Sequence, residues 1–258
     1  MNELSRTVPH VLLIGDSCID EYIYGTVDRI SPEAPVPVLK FSSKSTKHGM
    51  ASNVLANLQS FNILTTFKTN TEKSIKTRYV DERSEQQIVR VDNDILTAEC
   101  DTSSLCFDGI DCVVISDYDK GFVTDLTIQY VIDNFSGPIF IDTKKKNMGQ
   151  FSKENVYFKI NEKEWAECES SASNTIVTLG KAGALFKDRL YKAPTVDTFD
   201  VTGAGDTFLS ALTWAYLTYA TIDKAIAMAN RAAAISVQHR GVYTLKDEDI
   251  NEIKEWSY

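Results

Sequence analysis

Apolar runs of four to six residues, each closed by a polar or glycine position, set the rhythm of this chain. VLLIGD (11–16) closes on Asp16, DCVVISD (111–117) on Asp117, PIFID (138–142) on Asp142, VYFKIN (156–161) on Asn161 and TIVTLG (175–180) on Gly180. Short apolar runs of this kind read as strands buried on both faces of a sheet. ASNVLANLQSF (51–61) instead repeats at helical spacing, with Val54, Leu55, Leu58 and Phe61 on one side, and VTDLTIQYVIDNF (123–135) also reads as a helix. Strands alternating with helices predict an α/β fold: a mostly parallel sheet with helices on both faces. Ligands of such sheets lie beyond the C-terminal strand ends, where the closing residues of these runs stand. APVPVLKF (34–41) alternates and carries prolines, which suits an edge strand or flap, and QQIVRVD (86–92) reads as a further strand. No linker, repeat or low-complexity tract divides the chain, so a single domain is expected.

Composition narrows the function classes. The chain has 258 residues, 43% hydrophobic and 24% charged, with a net charge of −9. That charge argues against a nucleic-acid partner and requires an anionic ligand to be captured by local donors or a metal. Five cysteines without a CxxC pair suit reduced thiols in the cytoplasm, and three scattered histidines argue against a histidine-rich metal site. No apolar run is long enough to span a membrane, and MNELSRTVPH does not read as a signal peptide.

The candidate chemistry sits in DTFDVTGAGDTFLSALTWAYL (197–217). No GxxxxGK[ST] loop occurs anywhere, and GAGDTF lacks the third glycine and the position of a dinucleotide fingerprint. Small residues at a helix entrance let backbone amides converge on an anion, and the helix adds its positive end. Asp206, in the first helical turn, is placed to take a proton from a hydroxyl beside that cradle. The same residues also fit a glycine-rich turn with Asp206 as a helix cap.

DVTGAGD followed by a helix resembles the C-terminal signature of the ribokinase-like (PfkB) carbohydrate kinases. GDSCIDEYIYGTVDRISPEAPVPVLK (15–40) is similar to the opening of the subgroup that phosphorylates heptose 7-phosphate. SEQQIVRVD, ISDYDKG, IDTKK, VTLGKAG and ANRAAAISVQHRG follow in family order, over nearly the whole chain. The resemblance implies a ribokinase-like three-layer α/β sandwich with a small β lid, here over about residues 22–47 and 75–95. It also implies transfer of the ATP γ-phosphoryl group to a sugar hydroxyl. Asp206 would be the general base, and the amides of Gly203, Ala204 and Gly205 the anion hole. Asp16, Asp20, Gly49 and Asn53 would meet the sugar, and Arg29 its phosphate. Thr178, Gly180, Gly183 and Asn230 would form the nucleotide pocket, with Lys144 neutralising phosphate charge. Asn161 and Glu164 would order Mg²⁺ through water rather than bind it directly. The lid would exclude water and pair with a second copy in a homodimer. Alternatives are a loop cap at Asp20, a flap salt bridge at Arg29 and a solvated lysine run at Lys144.

Three departures stand out. Met50 replaces the second glycine of the family's Gly-Gly pair, and Thr143 stands where proline is usual. Residues 62–78 hold about one strand, where relatives carry an additional αβ unit. No HxGH motif of a fused nucleotidyltransferase follows, so a stand-alone kinase module is expected. Other readings are a kinase for a different sugar and a non-catalytic nucleotide-binding relative; a nicotinamide-binding protein is the weakest.

Overall fold

The apolar runs become the central sheet of the computed structural model, which describes residues 8–255. The residues before position 8, whose lack of a leader was read from sequence, lie outside them. Strand β1 (His10–Gly15) passes into a long hairpin, β2 (Ser17–Ile30) and β3 (Pro37–Met50), followed by α1 (Ala51–Ser60) and β4 (Leu64–Thr69). A second hairpin, β5 (Ser74–Asp81) and β6 (Gln86–Asn93), precedes β7 (Cys112–Ser116), α2 (Asp125–Asn134), β8 (Ile139–Asp142), β9 (Val156–Asn161) and α3 (Glu162–Ala166). The chain closes with β10 (Thr175–Thr178), β11 (Ala184–Phe186), β12 (Arg189–Tyr191), α4 (Ala204–Tyr219), α5 (Ile222–Ser236) and α6 (Asp247–Glu255).

Eight strands form the main sheet in the order β12-β11-β10-β9-β8-β7-β1-β4, parallel except where β11 and β12 turn back. Strand pleating sends alternate residues to opposite faces. Val11 and Leu13 of β1 therefore join a core with α1, α4, α5 and α6, while Leu12 and Ile14 join a second core with α2. Helix α4 is buried from Asp206 through Ala215, which explains why its sequence carries no charge beyond Asp206. Among the described residues no helix is long and apolar enough to cross a membrane.

The four strands of the two hairpins form a separate sheet, β3-β2-β5-β6. Its outer strand β3 is exposed over most of its length and carries Lys40, Lys44 and Lys47, charges that discourage edge-to-edge association. Strand β4 ends the main sheet, and only residues 70–73 separate it from β5. Asn70 secures this short link. Its Oδ1 accepts from the Ser17 amide at 2.7 Å and its Nδ2 donates to the Ser17 carbonyl at 3.1 Å and to the Glu72 carbonyl. Thr69 adds a hydroxyl bond to Ser17 Oγ at 2.6 Å. One asparagine thus welds the link to the point where β1 becomes β2. Asn70→Ala, by orphaning the buried Ser17 peptide, is expected to cost about 2 kcal/mol of stability in urea denaturation, with the fold retained.

Candidate active site

Gly203 adopts φ 79° immediately before α4, a left-handed conformation that glycine takes without a β-carbon clash. The turn is tied by Asp200, whose Oδ1 accepts from the Thr202 amide (2.9 Å) and hydroxyl (2.7 Å) and whose Oδ2 accepts from the Gly241 amide (2.8 Å). Burial raises the Asp200 pKa, but these bonds outweigh it and bring the carboxyl below its ordinary value. Of the three amides expected to face an anion, one is engaged within the protein. The Ala204 amide donates to the Val201 carbonyl at 3.2 Å and is engaged. Among the described residues, the amides of Gly203, Gly205 and Asp206 donate to no protein acceptor, as a helix's first turn dictates. A β-carbon at Gly205 would come within 2.8 Å of Lys159 Nζ, so only glycine lets that ammonium sit against the helix entrance.

Lys159 pairs with Asp142 at 2.7 Å, both side chains being buried at the ends of β9 and β8. Burial raises the Asp142 pKa against the pull of Lys159. Burial also opposes the charge on Lys159, yet the Asp142 carboxylate pushes its pKa up. Asp206 stands one residue on, 3% exposed. Its Oδ1 accepts from the Tyr118 hydroxyl at 2.6 Å and its Oδ2 from Asn53 Nδ2 at 3.0 Å. Burial raises its pKa to about 6 despite both bonds, within the range a general base needs.

The expected sugar ligands divide. Asp20 lies near the base of β2, buried and paired with Arg78 Nη1 of β5 at 2.5 Å. A β-carbon at Gly49 would collide with that carboxylate, so this glycine permits the close pairing of β2 and β3 beside it. Asn53 joins Asp206 directly, as described. Asp16 lies beneath the site: it is fully buried, and its oxygens accept from the amides of Tyr118 (2.7 Å) and Phe122 (3.3 Å). Arg29 is not brought to this site. It is exposed near the tip of β2, nine residues beyond Asp20, or roughly 30 Å at ~3.3 Å per residue. Met50 takes φ 58°, ψ −133°, a conformation suited to glycine, and its side chain is buried. That backbone accounts for the glycine usual in relatives.

On the other side of the entrance, a cavity of about 290 Å³ is bounded by Thr178, Gly180, Gly183, Ala204, Gly205 and Asn230, among others. Gly183 has φ 105°, and a β-carbon there would collide with the Tyr191 carbonyl. Asn230 donates to that same carbonyl at 2.7 Å, tying α5 to β12 at the cavity wall. Asn161 and Glu164 form a capping box at the start of α3, Glu164 Oε2 accepting from the Asn161 amide at 2.8 Å and Asn161 Oδ1 from the Glu164 amide at 2.9 Å. Lys144 meets the other Glu164 oxygen. Among the described residues no three His, Cys, Asp or Glu side chains gather around a point that suits a metal. Such a donor set would suit Mg²⁺ only if phosphate oxygens and waters supplied most of its ligands, with Asn161 and Glu164 as the residues that would hold those waters.

Residues 155–249 match the pfkB family carbohydrate kinase profile. Over 95% of its length the chain is 33% identical to the bifunctional protein HldE of Nitratiruptor sp., and over 94% it is 30% identical to that of Campylobacter curvus. Residues 155–249 thus form part of a PfkB carbohydrate kinase domain. The chain spans 64% of the length of these two relatives. The first alignment runs over 301 positions although 95% of 258 residues is only about 245, so this chain lacks residues its relative carries. The fold is that of ribokinase from Thermotoga maritima (TM-score 0.71, 16% identity, 95% of this chain and 99% of that one). It is also that of Arabidopsis thaliana ribokinase complexed with ribose and ATP (TM-score 0.70, 14% identity, 97% of this chain and 100% of that one).

Sequence reasoning missed Tyr118, Arg78 and the Asp142–Lys159 pair. Lys159 left a signal, a lone charge inside the buried run VYFKI. Tyr118 lies within ISDYDKG, where its side chain carries no signal of its contact with a residue 88 positions away. Arg78 meets Asp20, 58 positions earlier, only because β5 pairs with β2. Lys159→Ala strands a buried carboxylate and is expected to cost about 3–5 kcal/mol in chemical denaturation; Asp142→Leu/Lys159→Met should recover most of it.

Proposed function

We propose that this sugar kinase transfers the γ-phosphoryl group of ATP to a hydroxyl of a phosphorylated sugar, heptose 7-phosphate, giving the 1,7-bisphosphate. One juxtaposition carries the reading: unpaired amides at the α4 entrance and a buried carboxylate with a pKa of about 6 in the same helical turn. RISPEAPVPV and the similarity to HldE proteins support the heptose assignment.

The nucleotide's base and ribose enter the cavity beside Asn230, which brings the γ-phosphate to the amides of Gly203, Gly205 and Asp206. Lys159, held against Gly205, adds positive charge at the phosphate's edge. The acceptor sugar lies between Asp20 and Asp206. Asp206 takes the hydroxyl proton as the hydroxyl oxygen bonds to phosphorus and the bond to the β-phosphate oxygen breaks, releasing ADP. Mg²⁺, when bound, neutralises charge on the phosphates. The smaller sheet is the lid that keeps water from the transferring group. Exposed Ile30, Phe41, Val89 and Val91 on that sheet support pairing of two copies through it. Free cysteines and the use of ATP fit a cytoplasmic location.

A panel of sugar phosphates assayed for ATP consumption tests the reading. Turnover with heptose 7-phosphate, abolished by Asp206→Asn with ATP binding retained, is the expected outcome. Turnover with another sugar phosphate alone would replace the heptose assignment, a change that Met50 and the short link after β4 would favour. Because the base must be ionised, kcat is expected to fall about tenfold per unit as pH drops below about 6, and to level off above it.

A further inference from the structure

Asp206 is gripped at both oxygens, and the stronger grip comes from a side chain no sequence motif assigns. Tyr118 approaches Oδ1 to 2.6 Å, nearer than Asn53 at 3.0 Å on Oδ2. A hydroxyl bonded to a carboxylate at that distance is charge-assisted, and roughly twice as strong as a neutral bond. The Tyr118 backbone is also fixed. Its amide, with that of Phe122, is held by Asp16. The neighbouring Asp117 accepts from the Asp119 amide at 2.9 Å and from the Thr143 hydroxyl at 2.6 Å. Two buried carboxylates at the ends of β1 and β7 thus lock the loop that presents the phenol. Asp119 at φ 57° and Gly121 at φ 99° give this loop the sharp bends it needs.

We propose that Tyr118 is the positioning residue of the phosphoryl-transfer site: its hydroxyl, set in place by Asp16 through the loop backbone, orients the Asp206 carboxylate toward the acceptor alcohol. The inference rests on Asp206 being the general base. A carboxylate alone in an apolar helix entrance is free to rotate about its Cβ–Cγ bond. With Tyr118 on one oxygen and Asn53 on the other, its plane is fixed and a lone pair remains for the substrate proton. The same two bonds favour the ionised base against the burial that raises its pKa. Burial and the Asp206 charge push the phenol well above its ordinary value, so Tyr118 remains the donor at working pH. The groups facing the pair from other elements are Asp142, Lys159, the Cys18 thiol of β2 and the cations Lys76 and Lys144, whose nitrogens lie 6.0 and 5.5 Å from the Tyr118 ring centre. Asp16 acquires a different part from the sugar contact expected of it: it acts through Tyr118.

The test is Tyr118→Phe in the full chain, read by the carboxyl ¹³C titration of Asp206, whose signal Asp206→Asn identifies. Loss of the donor is expected to move the Asp206 midpoint up by about one pH unit. The acid limb of kcat against pH should move by the same amount, with KM for ATP unchanged. Asp16→Asn is expected to produce a smaller shift in the same direction. Incorporating 3-fluorotyrosine at position 118, an isosteric and stronger donor, is expected to move the midpoint down, and provides the answer should the phenylalanine variant fail to fold. An unchanged midpoint in either variant overturns the inference. The titration needs no turnover, so a wild-type enzyme inactive on every sugar phosphate would remove the heptose reading and leave this test intact.

Discussion

A carboxylate kept out of water and yet able to ionise is the constraint around which this site is organised. Burial disfavours the charged form of Asp206 and raises its pKa. The structure opposes that with a phenol, an amide and a nearby ammonium, each drawn from a different element: Tyr118 after β7, Asn53 on α1 and Lys159 on β9. None of the three can be placed without the fold, since each depends on parallel strands ending at the same level. The sheet supplies that level, and the entrance of α4 lies over it.

The same arrangement explains the small residues before the helix. Gly203 bends the chain and sits where a β-carbon would come within 2.7 Å of Asn53 Nδ2, while Gly205 admits Lys159 from below. A β-carbon at either glycine would therefore crowd a group that faces Asp206. The buried Asp142–Lys159 pair is stable because each partner compensates the other, and it places positive charge beneath the amides.

Much of this was legible in the sequence where a signal is local. The buried strands at 11–16, 111–117, 138–142 and 156–161 and the helices at 51–61 and 123–135 follow from hydrophobic spacing, and each appears within a residue or two. The GAGD turn announces a helix entrance by its lack of side chains. What stayed hidden involves contacts between distant segments. Spacing reveals neither that Asp16 faces inward to the 117–122 loop nor that the Ala204 amide turns back to Val201. Arg29, read from its motif as a phosphate ligand, proved to lie near the far end of a 14-residue strand whose length the sequence did not announce. The short link after β4 was visible as missing residues, but the asparagine that secures it was not.

A crystal structure of the full chain with a non-hydrolysable ATP analogue and a sugar phosphate tests the central claim most directly. The account predicts the γ-phosphate within hydrogen-bonding distance of the Gly205 and Asp206 amides, with the acceptor oxygen against the Asp206 carboxylate. A nucleotide seated elsewhere, with the α4 entrance vacant, would contradict it.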